Sequence, residues 1–432
     1  MEIPCYSSSQ SYLRDSAQTV FEDKQLRDQV ARIIADVRRS GDKALLQMTE
    51  KYDGVARETV RISRKELENS RAVDEETMAL LRSAADHIRC FHQKELEQVN
   101  DWHLSFAGGK VGQKIVPLQR AGMYVPGGSA VYPSSVLMNL IPARVAGVKE
   151  IILVSPPQSD TGLMNPLIIA AASLLGVDEV YAAGGAQAIA ALAYGTETIR
   201  PVDKIIGPGN RYVAEAKRQV FGKVGIDSVA GPSEIVILAD ETANPVFIAA
   251  DLLSQAEHDE HARAMLISTE EEIITQTKLE LRRQLIGLSR RSIARAALQK
   301  RGALILVNHL TEGIDLVNKI APEHLLLQIV QPERAMENII HAGAVFLGHF
   351  TPESVGDYWA GSNHVLPTNG GARFSSALSV RDFLRWISIV QYDENKLLGE
   401  SEKIVRFAHL EGLAAHANAV LCRLTMKREN RE

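Results

Sequence analysis

Cysteine is scarce in this 432-residue chain: Cys5, Cys90 and Cys422 are odd in number and far apart. That excludes a disulfide framework and a Cys-x-x-Cys metal site. No block of lysine or arginine occurs and the formal net charge is -5, so no nucleic-acid partner is expected. The first residues, Met1-Glu2-Ile3-Pro4-Cys5-Tyr6-Ser7, lack the basic-then-apolar pattern of a secretory signal. The longest apolar stretch, around Leu167 to Leu175, is short and interrupted by Ser173, which excludes a membrane span. No tract is compositionally biased, with 45% of residues hydrophobic and 23% charged, the balance of ordinary globular domains. A soluble, cytoplasmic protein of two or three domains is expected.

What is present alternates. From Lys24 to about Glu97 apolar residues recur at helical spacing, as at Val30, Ile33, Ile34 and Val37, with a break at Gly41-Asp42 and a second run from Thr77 to His92. This predicts a helical scaffold in which His87, His92 and His103 are ordinary histidines. Lys114 to Tyr124 reads as a strand ending in Val125-Pro126-Gly127-Gly128-Ser129. Beyond it come a strand from Glu150 to Val154, a helix from Asn165 to Leu175, a strand from Asp178 to Tyr181 and a helix from Ala188 to Tyr194. Lys204-Ile205-Ile206 then leads to a helix from about Tyr212 to Val220. A second run starts at Glu234–Leu238, continues through a helix from Pro245 to His258, and includes strands at Ala264–Ile267, Ala303–Val307 and Ala344–Leu347. Such alternation defines the α/β class. The expected architecture is two incomplete Rossmann-like domains with a cleft between them, plus a small helical N-terminal segment and a C-terminal tail.

Three glycine-rich turns follow strands: Pro126-Gly127-Gly128-Ser129, Gly184-Gly185-Ala186-Gln187 and Gly207-Pro208-Gly209-Asn210. Glycine lets backbone approach a ligand, and the helix N-termini beyond favour phosphate. None is the G-x-G-x-x-G dinucleotide fingerprint, and singly each reads as a tight turn. Together, at one end of successive parallel strands, they point to a nucleotide bound in an atypical way.

The chain is organised around Ile320-Ala321-Pro322-Glu323-His324-Leu325, where a carboxylate and an imidazole stand side by side between aliphatic residues. Burial raises a Glu pKa and lowers a His pKa, bringing both toward the working range of a proton-transfer catalyst. The same hexapeptide also reads as a helix start, with Pro at the first turn. A second constellation begins at Ser254-Gln255-Ala256-Glu257-His258-Asp259. Gln255 and His258 are three apart, on one helical face, and His258/His261 is a rival pair. Downstream lie Glu353-Ser354-Val355-Gly356-Asp357-Tyr358 and Ser362-Asn363-His364-Val365, in a polar, glycine-containing stretch read as loop, and Glu411-Gly412-Leu413-Ala414-Ala415-His416. Two histidines, an aspartate and an amide oxygen suit zinc or its neighbours. Spacing alone does not close the ligand set.

Taken in order, nine segments resemble the histidinol dehydrogenase family over nearly the whole chain. They are Gly122–Gly128, Gly184–Ala190, Lys204–Asn210, Ala230–Glu234, Leu253–His258, Ala321–Leu325, Gly356–Tyr358, Asn363–Thr368 and Glu411–His416. The resemblance implies oxidation of L-histidinol through L-histidinal to L-histidine in two NAD-dependent steps, the last of histidine biosynthesis. It implies that His324 is the base on the alcohol and that Glu323 activates the water adding at the aldehyde stage. It further implies that Gln255, His258, Asp357 and His416 hold one zinc, and that Ser233, His364 and Glu411 contact substrate with them. Tyr124, Gln187 and Asn210 would line the NAD site. Such enzymes are homodimers with exchanged C-terminal tails, so Glu411 and His416 would serve the neighbouring subunit. Arg385, Ser228-Val229 and Asn369-Gly370-Gly371 depart from commoner family residues, at no catalytic or metal position.

The expected division is an N-terminal segment at 1–23 and a discontinuous α/β domain, 24–123 with 235–379, carrying metal and catalytic residues. A second α/β domain on the NAD side would cover 124–234, and a dimerisation tail 380–432. The alternative is a paralogue with the same zinc and NAD machinery acting on another small alcohol, such as a sulfonated propanediol. A two-lobed binding protein without catalysis lacks support from Glu323-His324, and a zinc hydrolase lacks a His-Glu-x-x-His pattern.

Overall fold

The structure, a computed structural model, describes residues 2–16, 23–70, 73–127, 131–177, 179–229 and 231–429. Gly128 and Ser129 of the first glycine turn, Asp178 and Ala230 lie outside the described residues. In chain order the strands are β1 (Cys5–Tyr6), β2 (Trp102–Phe106), β3 (Gly109–Pro117), β4 (Arg120–Tyr124), β5 (Glu150–Ser155), β6 (Glu179–Ala182), β7 (Lys204–Ile206) and β8 (Gly225–Ile226). There follow β9 (Glu234–Ala239), β10 (Arg263–Ser268), β11 (Ala303–Leu306), β12 (His324–Gln328), β13 (Ala344–Leu347) and β14 (Leu384–Tyr392).

Two sheets are wholly parallel, in the orders β6-β5-β4-β7-β8 and β1-β11-β10-β9-β12-β13. Helices cover both faces of such sheets, so their strands are continuous apolar runs rather than alternating ones. Ile235-Val236-Ile237-Leu238 in β9 and Ile151-Leu153-Val154 in β5 are buried accordingly. Each sheet reverses direction once. The first runs β4, β5, β6 and returns to place β7 on the other side of β4; the second does the same between β9 and β12. The α/β expectation holds. No helix among the described residues is long and apolar enough to cross a membrane.

Several boundaries differ from expectation. Lys114–Tyr124 is not one strand. The Asp203 carboxylate accepts from the backbone N–H groups of Gln119 and Arg120, both at 3.0 Å, and this separates β3 from β4, which belong to different sheets. β4 pairs with β5 and β7, so Arg120–Tyr124 joins the five-stranded sheet. The helix Lys24–Asp53 goes with it, burying Val30, Ile33, Ile34, Val37 and Leu45 in one core with Ala188, Ile189 and Leu192 of the helix Gly185–Tyr194. At the other end, Cys5–Tyr6 pairs with β11 as an edge strand, and the expected N-terminal helix follows at Ser9–Ser16.

The chain forms two compact units, Met1–Leu96 with Leu118–Phe383, and Glu97–Pro117 with Leu384–Glu432. The tail is thus joined by residues expected in the first α/β domain. The cause is the nine-residue antiparallel register of β14 on β3, from Leu384↔Pro117 to Tyr392↔Gly109. β2 completes this sheet, and the helices Glu394–Leu410 and Ala414–Glu429 follow.

Candidate active site

The hexapeptide around Glu323 is a helix end rather than a helix start. The helix Leu310–Ile320 stops at Ala321, whose left-handed backbone (φ 51°) is unfavourable for a residue with a Cβ. Pro322 turns the chain out, and His324 opens β12. Strain of this kind is held in place by surrounding structure and concentrates at functional sites. Here it delivers two buried polar groups to the amino end of a central strand. The Glu323 carboxylate accepts the Glu234 N–H at 2.7 Å, and His324 Nδ1 lies 3.1 Å from the Glu234 carbonyl oxygen. One residue of β9 thereby grips both.

Burial pushes the Glu323 carboxyl well above its usual range, opposed by the Glu234 N–H and reinforced by the charges of Glu234 and Asp357. Burial also pulls His324 down to about 4; its hydrogen bond to Glu234 opposes this, while His364 and His258 add to it. With Nδ1–H donated to the Glu234 carbonyl, Nε2 carries the lone pair. That nitrogen is buried and has no hydrogen-bond partner. It is an imidazole set up to accept a proton.

Around Nε2 the chain gathers metal-type donors. The segment read as loop at 353–358 is a short helix, Glu353–Tyr358, which puts Glu353 and Asp357 one turn apart. Their carboxylates lie 3.7 and 3.9 Å from His324 Nε2, and the donor atoms of His324, Glu353 and Asp357 all fall within 4.8 Å of one another. Gln255, buried in the last turn of the helix Pro245–Ala256, places its amide nitrogen 3.3 Å from His324 Nδ1. His258 follows just past that helix end; burial lowers its pKa, and its charge lowers those of both His324 and His364. His364 Nδ1 lies 3.1 Å from the Asp357 carbonyl, and burial brings its pKa down to about 4. Burial raises Asp357 to about 6 and Glu353 well above its usual range.

Neutral imidazoles, carboxylates without a cation and an unpartnered nitrogen make a donor set that a divalent ion would satisfy and whose carboxylate shifts it would reverse. A pocket of about 460 Å³ opens beside it, lined in part by Tyr132, Leu137, His258, Asp357 and Trp359.

At the carboxyl ends of the other sheet, Tyr124 closes β4, and its hydroxyl accepts the Gly185 N–H at 3.1 Å. Burial pushes its pKa up to about 12. Gln187 is buried in the first turn of Gly185–Tyr194, and Asn210 caps the helix Arg211–Val220 by accepting from Tyr212 and Val213 at 2.9 and 3.2 Å. The Gly207 turn is fixed beneath: Lys217 donates to the Gly207 carbonyl at 3.0 Å, Asp227 accepts its N–H at 2.8 Å, and Lys217 and Asp227 form a buried ion pair. Gly207 has a backbone (φ 108°) that only glycine tolerates, and a Cβ there would collide with the Tyr124 carbonyl. All three residues expected at NAD therefore stand at carboxyl ends of parallel strands, flanking the reversal point beside β4.

The profile of the histidinol dehydrogenase family matches residues 16–424. The chain belongs to that family. It is an oxidoreductase. The histidinol dehydrogenase of Geobacillus kaustophilus is 53% identical over 394 residues, covering 91% of this chain and 92% of that one. That of Bacillus subtilis is 49% identical over 398 residues, covering 92% and 93%. The crystal structure of histidinol dehydrogenase from Elizabethkingia anophelis superposes with a TM-score of 0.92 at 39% identity, over 99% of each chain.

Of the residues the family resemblance singled out, Gln255, His258, Glu323, His324, Asp357 and His364 meet in one cluster, and Ser233 directly precedes Glu234 beside it. Glu411 and His416 belong to the second unit. Glu411 caps the helix Glu394–Leu410, His416 lies in the first turn of Ala414–Glu429, and both are exposed. Glu353 was given no role by sequence reasoning. Its four-residue spacing from Asp357 was the available signal, masked because the glycine-containing stretch read as loop.

Proposed function

We propose that this chain oxidises L-histidinol through L-histidinal to L-histidine with two molecules of NAD. The observation that supports it most is His324: a neutral imidazole whose Nδ1 lies 3.6 Å from the Glu323 carboxylate and whose free, buried Nε2 faces a set of metal-type donors. In this reading His324 takes the proton of the carbinol hydroxyl at Nε2, while its Nδ1–H stays donated to the Glu234 carbonyl and fixes the ring. Glu323, ionised, takes a proton from the water whose oxygen adds to the aldehyde carbon. Its burial makes that carboxylate a stronger base than an exposed one.

Gln255, His258 and Asp357, with the partner subunit's His416, would hold one zinc. When bound, zinc orients and polarises the substrate's amine and imidazole, and NAD accepts the hydride at each oxidation. Ser233 and His364, with the partner subunit's Glu411, contact substrate; the acidic group suits a cationic, imidazole-bearing ligand. Tyr124, Gln187 and Asn210 line the NAD site. The enzyme is a homodimer with exchanged tails. In support, β14 leaves Trp386, Ile387, Ile389 and Val390 exposed in a single chain, an apolar strip of the kind covered at subunit contacts. We place it in the cytoplasm, where the exposed thiols of Cys5, Cys90 and Cys422 stay reduced.

The experiment is metal removal and readdition. Stripping zinc abolishes histidinol-dependent NAD reduction and readding it restores the rate, whereas Gln255→Ala and His258→Ala enzymes need far more zinc for the same recovery. Full activity in the stripped enzyme would defeat this reading.

A further inference from the structure

The glycine turn at 184–185 is closed from outside its own sheet by a carboxylate that the mechanism does not use. Asp53 is the last residue of the helix Lys24–Asp53, which ends because Gly54 takes a left-handed backbone (φ 72°). This places the Asp53 side chain against Gly184, so closely that a Cβ at Gly184 would lie 3.1 Å from Asp53 Oδ1 and 2.9 Å from Cβ of Pro156. Gly184 and Pro156 stand just beyond the carboxyl ends of the neighbouring strands β6 and β5, where open α/β sheets receive ligands. Tyr124, at the end of β4, is near enough to feel the Asp53 charge.

The carboxylate is poorly provided for. Its Oδ2 is buried without a hydrogen-bond partner. Burial alone accounts for its raised pKa of about 6, with no cation opposing it. Leaving a buried acceptor unsatisfied is costly, and natural proteins tolerate it mainly where something else completes the bond. The sheet itself points to what that is. Standard dinucleotide-binding folds carry an acid about 20 residues beyond the glycine turn, at the end of the second strand, which accepts from the ribose hydroxyls and excludes a 2′-phosphate. Here the second strand in chain order, β5, ends in Ser155-Pro156-Pro157-Gln158. No acid stands there.

We infer that Asp53 supplies this missing acid from the neighbouring helix, accepting hydrogen bonds from a ribose diol of the dinucleotide and setting the preference for NAD over NADP. A carboxylate has enough lone pairs for two vicinal hydroxyls, and its charge repels a phosphate ester at the same position. The inference rests on the reading of the 184–187 turn as part of the NAD site.

The test is calorimetric titration of zinc-loaded enzyme, wild type and Asp53→Asn, with NAD, NADP and AMP, alongside the KM for histidinol. Asn keeps the size and shape of Asp, and thermal melting of the variant shows that it is folded. Asp53→Asn is expected to weaken NAD about tenfold, the effect of losing hydrogen bonds to a charged acceptor. It should raise the NADP-to-NAD affinity ratio by a similar factor while leaving the KM for histidinol unchanged. A matching loss with AMP assigns the contact to the adenosine ribose; loss with NAD alone assigns it to the nicotinamide ribose. Unchanged NAD affinity and NADP preference in a folded variant would overturn the Asp53 assignment alone. Failure of the wild type to bind NAD would remove the site reading with it.

Discussion

Glu234 holds Glu323 through its backbone, the Glu234 N–H donating to the Glu323 carboxylate at 2.7 Å. Because the Glu234 carbonyl also meets His324 Nδ1, the two groups proposed to divide the proton transfers share one anchor. Glu323→Gln keeps an oxygen to accept the N–H and loses only the base. Oxidation of added histidinal is expected to slow by about 10²–10⁴-fold, the usual worth of a general base, with much less effect on the first hydride transfer from histidinol. Rapid-mixing measurement of NADH from each substrate checks this. Equal slowing of both stages would mean that Glu323 positions His324 rather than activating water.

Glu353 is predicted to support the metal. It lies 3.7 Å from His324 Nε2 and one helical turn from Asp357, and its charge adds to that of the site. Glu353→Gln should weaken zinc about tenfold or more, the range seen when groups behind metal ligands are changed. Competition with a chelator gives the value. Unaltered zinc affinity would leave Glu353 with a packing role only.

Subunit exchange is testable through two inactive variants. His324→Ala and His416→Ala homodimers should each fail. Mixed under conditions that exchange subunits, they should recover about a quarter of wild-type activity, because half the dimers are mixed and each of those has one intact site. Mixed dimers without recovery would place His416 in its own subunit's site.

Stability should carry a pH signature at Asp53. Its folded pKa, about 6, lies above the ordinary 3.8, so ionisation opposes folding. The cost is absent below the unfolded value, grows between 3.8 and about 6, and is complete above that. Asp53→Asn should therefore stabilise the ligand-free protein by on the order of 1–2 kcal/mol at pH 8 and by little at pH 4. Urea denaturation at the two pH values measures the gap. A stabilisation independent of pH would assign the effect to something other than charge burial.

Much of this was legible in the sequence. The continuous apolar runs of β5 and β9 reveal buried parallel strands, and the adjacency of Glu323 and His324 needs no tertiary information. What the sequence hides is set by distant contacts. Lys114–Tyr124 divides because Asp203 caps the start of β4. The hexapeptide at 320–325 fits a helix start locally, yet tertiary pairing to β9 makes it a strand entry. Asp53 carries no motif; its position against Gly184 exists only once the helix Lys24–Asp53 packs on the five-stranded sheet.

The most direct test of the whole account is the stoichiometry of NADH formed from L-histidinol by zinc-loaded enzyme with NAD in excess. The account predicts two NADH for each histidinol consumed, with L-histidine as the product. One NADH with histidinal released, or no NADH from histidinol in folded enzyme that reduces NAD with another small alcohol, would contradict it.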